Sequence, residues 1–274
     1  MAVTMADIQH LRKMTGAGMM DCKNALAEAD NDFEKAMEII RKKGQAVAAK
    51  RSDRDASEGC VLAKKDGDFA AVIALKCETD FVAKNEDFVA LANNILDAAM
   101  AAKSQDLDAV KALTLGNATV QDAVTDRSGI TGEKMEVDGY GFVEGPTTAI
   151  YIHPGNRLAT IVAFNKAGIS EDVTHEIAMQ IAAMNPVAVD EAGVPAELLA
   201  REKEIAAEKA REEGKPENMI ERIAMGRINK FYKEMCLLNQ EYVKDPKITV
   251  AQYLKNVDKD LTVVAFKRYT LNQE

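Results

Sequence analysis

One arrangement of predicted elements occurs twice in the chain and restricts the fold more than any other feature. In the first copy, a turn at Asp66-Gly67 joins two β-prone stretches, and an amphipathic helix follows Asn85. In the second copy, the turn is Pro154-Gly155-Asn156 and the helix follows Ser170. A helix of this kind buries the apolar face of a hairpin when the two pack together. The sequence therefore predicts an α+β fold with a core of two similar α+β subdomains.

The two copies differ in the loop between the second strand and the helix. Strand matches strand at an offset of 89 residues, Phe69 with Leu158, whereas helix matches helix at an offset of 85, Asn85 with Ser170. The loop of the first copy is therefore longer by four residues, and it contains the segment 79–82.

The first 44 residues contain three short amphipathic patterns that predict three helices. Thr4 is a suitable N-cap for the first helix, Gly16-Ala17-Gly18 ends it, and the third helix is expected to end before Gly44. Residues 45–57 are polar and charged, which is typical of a linker. The pattern predicts a compact N-terminal three-helix module that is separate from the body.

Residues 190–236 have the pattern of a helical hairpin inserted in the second subdomain. Pro195 suits the first turn of a charged helix, Gly214-Lys215-Pro216 turns the chain, and a second amphipathic helix follows. Two helices joined by so short a turn lie antiparallel. Together these patterns predict four parts. They are the three-helix module (1–51), the first α+β subdomain (52–144), the second α+β subdomain (145–189 and 237–274) and the helical hairpin (190–236).

Charge and cysteine usage restrict the class of protein. The formal net charge is −9, which argues against a protein that holds nucleic acid by its phosphates. The cysteines are scattered without a C-x-x-C pair, which indicates reduced thiols rather than disulfides or a zinc site. No apolar run is long enough to cross a membrane, and the N-terminus does not have the pattern of a signal peptide. We expect a soluble cytoplasmic protein without a metal or cofactor.

The sequence contains no recognisable catalytic motif. Gly16-Ala17-Gly18 begins like a dinucleotide-binding loop, but Asp21 stands where the last glycine belongs, and the segment follows a helix. His175 has no second histidine at the spacing of a zinc-binding helix. These absences favour a protein that acts on another protein. A helical-hairpin adaptor and an enzyme whose site has no linear motif remain alternatives.

Two pairs of residues are candidates for a binding surface. Phe81 has two interpretations. In the first, Phe81 is a core residue next to Asp80 as a helix cap, because most phenylalanines are buried; in the second, it is exposed and contacts a partner. Met19 and Met20 are adjacent on a helix, so they cannot both face one core, and at least one is expected to be exposed.

Three segments resemble signatures of the elongation factor Ts family. They are LRKMTGAGMMDCKNAL (11–26), CETDFVAKNEDF (77–88) and GKPENMIERIAMGRINKFYKE (214–234). The resemblance implies a three-helix ubiquitin-associated-like domain, a core of two similar α+β subdomains, and an antiparallel coiled-coil hairpin inserted in the second subdomain.

The resemblance also implies an activity, guanine-nucleotide exchange without covalent catalysis. The expected partner is elongation factor Tu, in its GDP-bound and nucleotide-free forms, with no direct contact to nucleic acid or membrane. Thr79, Asp80, Phe81 and Val82 would enter the GTPase domain of the partner and disturb its magnesium site. Phe81 would act as the wedge, and Asp80 would reorganise polar contacts near the metal.

Further contacts with the partner follow from the same resemblance. Arg12, Met19 and Met20 would dock the N-terminal module on the GTPase domain. His153 would face another domain of the partner from the turn of the second hairpin. Some family members continue into a further C-terminal helical module that also touches the partner, whereas this chain ends at Glu274, soon after its last predicted strand.

Overall fold

The N-terminal part of the chain forms the three expected helices. The structure is a computed structural model that describes residues 3–271. Its first helices are α1 (Met5–Thr15), α2 (Met19–Glu28) and α3 (Phe33–Lys50). The Thr4 side chain accepts a hydrogen bond from the Asp7 N–H, and the Asp7 carboxylate accepts one from the Thr4 N–H, so the predicted cap of α1 is confirmed.

The first hairpin and its helix follow. Strands β1 (Glu58–Asp66) and β2 (Phe69–Cys77) pair antiparallel around a two-residue loop. The short helix α4 (Asp80–Ala83) precedes α5 (Glu86–Ala102), whose N-cap is Asn85, as predicted. Phe88 and its neighbours on one side of α5 are fully buried against the sheet.

The region between α5 and the second hairpin folds into elements that the sequence patterns did not indicate. They are α6 (Leu107–Ala112), β3 (Thr114–Leu115), β4 (Ala118–Thr119), α7 (Val120–Thr131) and β5 (Met135–Glu144). Strand β5 pairs antiparallel with β2, so the first sheet has the order β1-β2-β5.

The second half of the chain repeats the hairpin and helix and adds the helical hairpin. Strands β6 (Thr147–Ile152) and β7 (Leu158–Phe164) precede α8 (Glu171–Met184), which Ser170 caps. Then come the antiparallel helices α9 (Ala196–Glu212) and α10 (Glu217–Met235). The chain closes with β8 (Glu241–Tyr242), β9 (Asp245–Thr249), α11 (Val250–Val257) and β10 (Val263–Thr270).

The two sheets have the same topology. The second sheet has the order β6-β7-β10, with all neighbours antiparallel, and β1-β2-β5 corresponds to it strand for strand. In both, the central strand is the second strand of a hairpin and leads into the helix that covers the sheet. The predicted α+β fold with two similar subdomains is confirmed.

Small side chains bring the two sheets together. The inner faces of β1, β2 and β7 meet in a buried layer rich in alanine and valine. Helices α5 and α7 cover the outer face of the first sheet, and α8 and α11 cover the outer face of the second. The result is a four-layer order of helices, sheet, sheet and helices. At one edge, the Tyr269 ring lies so close to Gly139 that a Cβ there would meet it at 2.5 Å.

The predicted linker at 45–57 is wrong in its first half, because α3 continues through Gly44 to Lys50. Gly44 and Gly129 of α7 cross at such close range that a Cβ on Gly129 would lie 2.1 Å from the Gly44 Cα. Arg41 of α3 pairs with Asp122 and Asp126 of α7 beside this crossing. Packing against α7 therefore stabilises a helical stretch whose composition is typical of a linker.

Candidate partner-binding site

Phe81 lies on the outside of the short helix α4. The Thr79 hydroxyl accepts a hydrogen bond from the Val82 N–H at 3.4 Å and caps the helix. Val82 and Ala83 pack against the core of the first subdomain, so the helix turns its opposite side outward. The Phe81 side chain is 83% exposed, and the interpretation that places it in the core is therefore wrong.

Asp80 places a carboxylate beside this exposed ring. Lys84 donates a hydrogen bond to Asp80 Oδ2 at 2.6 Å, one helical turn away. This hydrogen bond is the main reason why the pKa of Asp80 is lowered from its ordinary value. The surface of α4 thus combines an apolar ring with an ionised carboxylate.

The backbone before α4 is held by residues distant in the sequence. Glu133 accepts hydrogen bonds from the Thr79 N–H at 3.0 Å and from the Thr79 hydroxyl at 2.6 Å. Glu78 accepts from the Lys134 N–H at 2.6 Å and from the Arg51 guanidinium at 3.0 and 3.2 Å. Sequence reasoning missed Glu133, Glu78 and Arg51. No local pattern identifies them, because their partners lie 27 to 56 residues away.

The N-terminal module exposes its own apolar side chains. Met19 and Met20 begin α2 after Gly18 and are 37% and 63% exposed, and Arg12 is also exposed. The structure adds Met5 and Met14, which are exposed on the same module and were not singled out by the sequence. Methionine side chains adapt their shape to a partner surface, so exposed methionines of this kind are suited to docking.

Arg127 of α7 links the N-terminal module to the neighbourhood of α4. Its guanidinium donates to Asn85 Oδ1 at 2.9 Å and to Asp87 Oδ2 at 3.0 Å, at the start of α5. A Cβ on Gly16, in the loop before α2, would contact the same guanidinium at 3.7 Å. The loop that leads to Met19 and the helix that carries Phe81 are therefore on the same side of the molecule.

His153 follows β6 and is exposed at the β6–β7 turn. Its Nδ1 lies 2.9 Å from the Tyr151 hydroxyl. The turn is tied to β1, because the Val61 N–H donates to the Asn156 carbonyl at 2.7 Å and Arg157 pairs with Glu58. Since Glu58 is opposite Cys77 in the sheet, His153 lies at the same end of the strands as the segment 79–82.

The cysteines are buried and their thiols are free. Burial raises the pKa of Cys60 and of Cys77 to about 12, and that of Cys236 to about 11. These thiols are thus poor nucleophiles near neutral pH. Among residues 3–271, no group of three or more His, Cys, Asp or Glu side chains is arranged to hold a metal ion. No helix in this range has the length and apolar character needed to cross a membrane.

Comparison with known proteins agrees with the resemblance of the three segments. A family model described as elongation factor TS matches residues 78–273. Proteins named elongation factor Ts from Porphyromonas gingivalis and Parabacteroides distasonis are 60% and 55% identical to the chain. One from Azobacteroides pseudotrichonymphae is 52% identical. Each comparison covers 100% of both proteins.

The α+β core, the helical hairpin and these similarities together define a translation elongation factor. The chain belongs to the elongation factor Ts family, since the family model spans most of it and the relatives match along its whole length.

Proposed function

We propose that the chain binds elongation factor Tu in its GDP form, disturbs the magnesium site of that GTPase and promotes GDP release, so that GTP can bind. The observation that supports this proposal best is the 83% exposure of Phe81 on a helix whose preceding backbone is fixed. An exposed aromatic ring on an anchored support is typical of an interface hot spot. The proposed setting is the cytoplasm, where the partner works.

Linkage explains how binding alone promotes exchange. A protein that binds the nucleotide-free partner better than the GDP-bound partner weakens GDP binding by the same factor. Magnesium neutralises phosphate charge, so a partner that loses its metal coordination holds GDP less tightly. In this proposal Phe81 displaces groups near the metal, and the Asp80 carboxylate rearranges their polar contacts. The chain needs no covalent chemistry.

The remaining predicted residues have docking roles in this proposal. Arg12, Met19 and Met20 hold the N-terminal module against the GTPase domain, and His153 contacts another domain of the partner. The division into the parts 1–51, 52–144, 145–189 with 237–274, and 190–236 is part of the same proposal. Docking by the first part then brings Phe81 to the magnesium site.

Release of a fluorescent GDP from elongation factor Tu tests the function directly. The full chain, added at a small fraction of the GTPase concentration, is expected to accelerate release, because each molecule acts repeatedly. Tight binding without faster release would instead support a helical-hairpin adaptor. No effect on binding or release would favour an enzyme whose site has no linear motif.

A further inference from the structure

We propose that Glu133 is a positioning residue that fixes the direction in which α4 presents Phe81. This inference rests on the proposed function, since it assumes that Phe81 acts on the partner. Glu133 does not belong to the exposed segment itself. It lies in the loop between α7 and β5 and acts through Thr79.

The carboxylate of Glu133 uses both oxygens on a single residue. Oε2 accepts from the Thr79 N–H at 3.0 Å, and Oε1 accepts from the Thr79 hydroxyl at 2.6 Å. That hydroxyl also accepts from the Val82 N–H at 3.4 Å and so caps α4. Glu133 thus holds the Thr79 hydroxyl in place, and the same hydroxyl caps the first turn of the helix that carries Phe81.

The contact is reciprocal, which makes it rigid. Glu78, the neighbour of Thr79, accepts from the backbone N–H of Lys134, the neighbour of Glu133, at 2.6 Å. Each of the two segments therefore supplies one carboxylate acceptor and one backbone N–H donor to the other. The loop is held in turn by the Ser128 hydroxyl of α7, which donates to the Glu133 carbonyl at 2.5 Å. We call the pairs 78–79 and 133–134 the carboxylate clamp.

A clamp of this kind matters because α4 cannot hold its own shape. Four residues are far too few for a stable isolated helix, since most of their N–H groups have no partner within the helix. A wedge that still fluctuates in the docked complex must lose that freedom when it enters the magnesium site, and this cost slows GDP release even when the partner is saturated. A clamp that fixes Thr79 in the free protein removes most of that cost before the partner arrives.

The test compares Glu133→Ala and Glu133→Gln with the full-length wild-type protein. The alanine variant removes both acceptors, whereas the glutamine amide keeps one acceptor oxygen. We expect GDP release at saturating concentrations of the variant to slow by about tenfold for alanine, and by less for glutamine. Hydrogen exchange of the amides at 79–84 should accelerate in the same order in the free protein. Glu136→Gln is the matched control, because Glu136 contacts Lys134 and not Thr79, and it should change neither readout.

A double-mutant cycle separates positioning from a general loss of structure. If Glu133 acts through Phe81, Glu133→Ala should slow release very little when Phe81→Ala is already present. Unchanged amide exchange at 79–84, or an unchanged saturating rate despite faster amide exchange, would overturn the positioning role. Failure of the proposed function has a different signature, which is normal GDP release by Phe81→Ala alone. The amide-exchange measurement on the free protein does not depend on that result.

Discussion

Phe81 is exposed although its residue type favours burial, and the reason lies in its neighbours. In the one turn of α4, Val82 and Ala83 already contact the core, so the side chain at position 81 must point away from it. An exposed aromatic side chain gains no burial energy in the free protein and is free to gain it at an interface.

Phe81→Ala is expected to leave the melting temperature of the isolated protein almost unchanged, because an exposed side chain leaves no cavity. Binding to nucleotide-free elongation factor Tu should weaken by about 2 kcal/mol or more, which is roughly thirtyfold in Kd. GDP release should be slower even at saturating concentrations of the variant. Calorimetric melting, a binding titration with the nucleotide-free partner and a fluorescent-GDP assay measure the three effects.

Phe88→Ala is the matched control, because Phe88 has the same side chain and is fully buried in the first turn of α5. It should destabilise the fold by ~3–5 kcal/mol. A large fall in melting temperature for Phe81→Ala, with normal exchange by the molecules that remain folded, would contradict the proposed role of Phe81.

Glu176 of α8 holds the strands that follow the helical hairpin. Its carboxylate accepts from the hydroxyls of Tyr242 and Tyr253 and from the Lys244 ammonium, each at 2.5 Å. Burial raises the pKa of Glu176, but the hydrogen bonds from Lys244 and the two tyrosines outweigh it and lower the pKa to about 2. The ionised form therefore stabilises the attachment of β8 and α11 to α8.

The pH dependence of stability follows from this lowered pKa. The unfolded carboxyl has the ordinary value of 4.5, so the stabilisation is complete above that pH and is lost as the pH falls towards 2. Glu176→Gln should lower the free energy of unfolding at pH 7, by up to about 1.4 kcal/mol for each pKa unit of the shift. Urea titrations at pH 7 and pH 4 should show a smaller difference between variant and wild type at the lower pH. A constant difference would contradict the linkage.

At the scale of elements, the crossing of α3 and α7 decides how the N-terminal module meets the body. The two glycines at the crossing have unequal surroundings. A Cβ on Gly129 would lie 2.1 Å from the Gly44 Cα, whereas a Cβ on Gly44 would meet the nearest atom of α7 at 3.4 Å. The helices can therefore approach this closely only if position 129 has no side chain.

Gly129→Ala should force the two helices apart and lower the melting temperature. Gly44→Ala is the matched control, because both positions are helical and alanine favours a helix by about 1 kcal/mol over glycine. We expect Gly44→Ala to be close to neutral or mildly stabilising. Thermal melts of both variants, with limited proteolysis at residues 51–57, would report the separation of α3 from α7. Equal effects of the two substitutions would contradict the asymmetry of the crossing.

At the scale of the whole molecule, the helical hairpin joins the core through its base. Its upper part packs on itself through residues of α9 and α10 such as Ala206, Ala210 and Ile228. At the base, the fully buried Gln240 side chain donates to the carbonyls of Met184 and Glu234, at 3.2 and 2.8 Å, and accepts from Gln180 at 3.2 Å. The stability of the core should therefore depend on the base and not on the tip.

Replacement of residues 202–228 by a short turn should change neither the melting temperature of the core nor the rate of GDP release by much. The cut keeps Leu198, Leu199 and Phe231, which pack against the buried cluster at the base that contains Cys236. Gln240→Ala is the contrasting variant and should cost about 1–3 kcal/mol, because it removes the fully buried side chain that donates to the Met184 and Glu234 carbonyls. An unfolded product of the truncation, or a folded product without exchange activity, would contradict this prediction.

The sequence by itself determined the features that depend on neighbouring residues. The Thr4 and Asn85 caps, the two hairpins and the Pro195 helix start were all predicted, because capping and turn geometry involve residues only a few positions apart. The segments 11–26, 77–88 and 214–234 also indicated the family.

Only the tertiary structure decided the features that depend on distant residues. Strand β5 was missed because Gly139 and Gly141 weaken its strand pattern. These glycines leave room for the ring of Tyr269, which lies 130 and 128 residues later in the chain. Residues 45–50 are helical because Gly129 lies against Gly44. Phe81 faces outward because Val82 and Ala83 contact the core, and Glu133 fixes Thr79 from 54 residues away. The position of such a contact depends on how the whole chain packs, and no local pattern of residues encodes it.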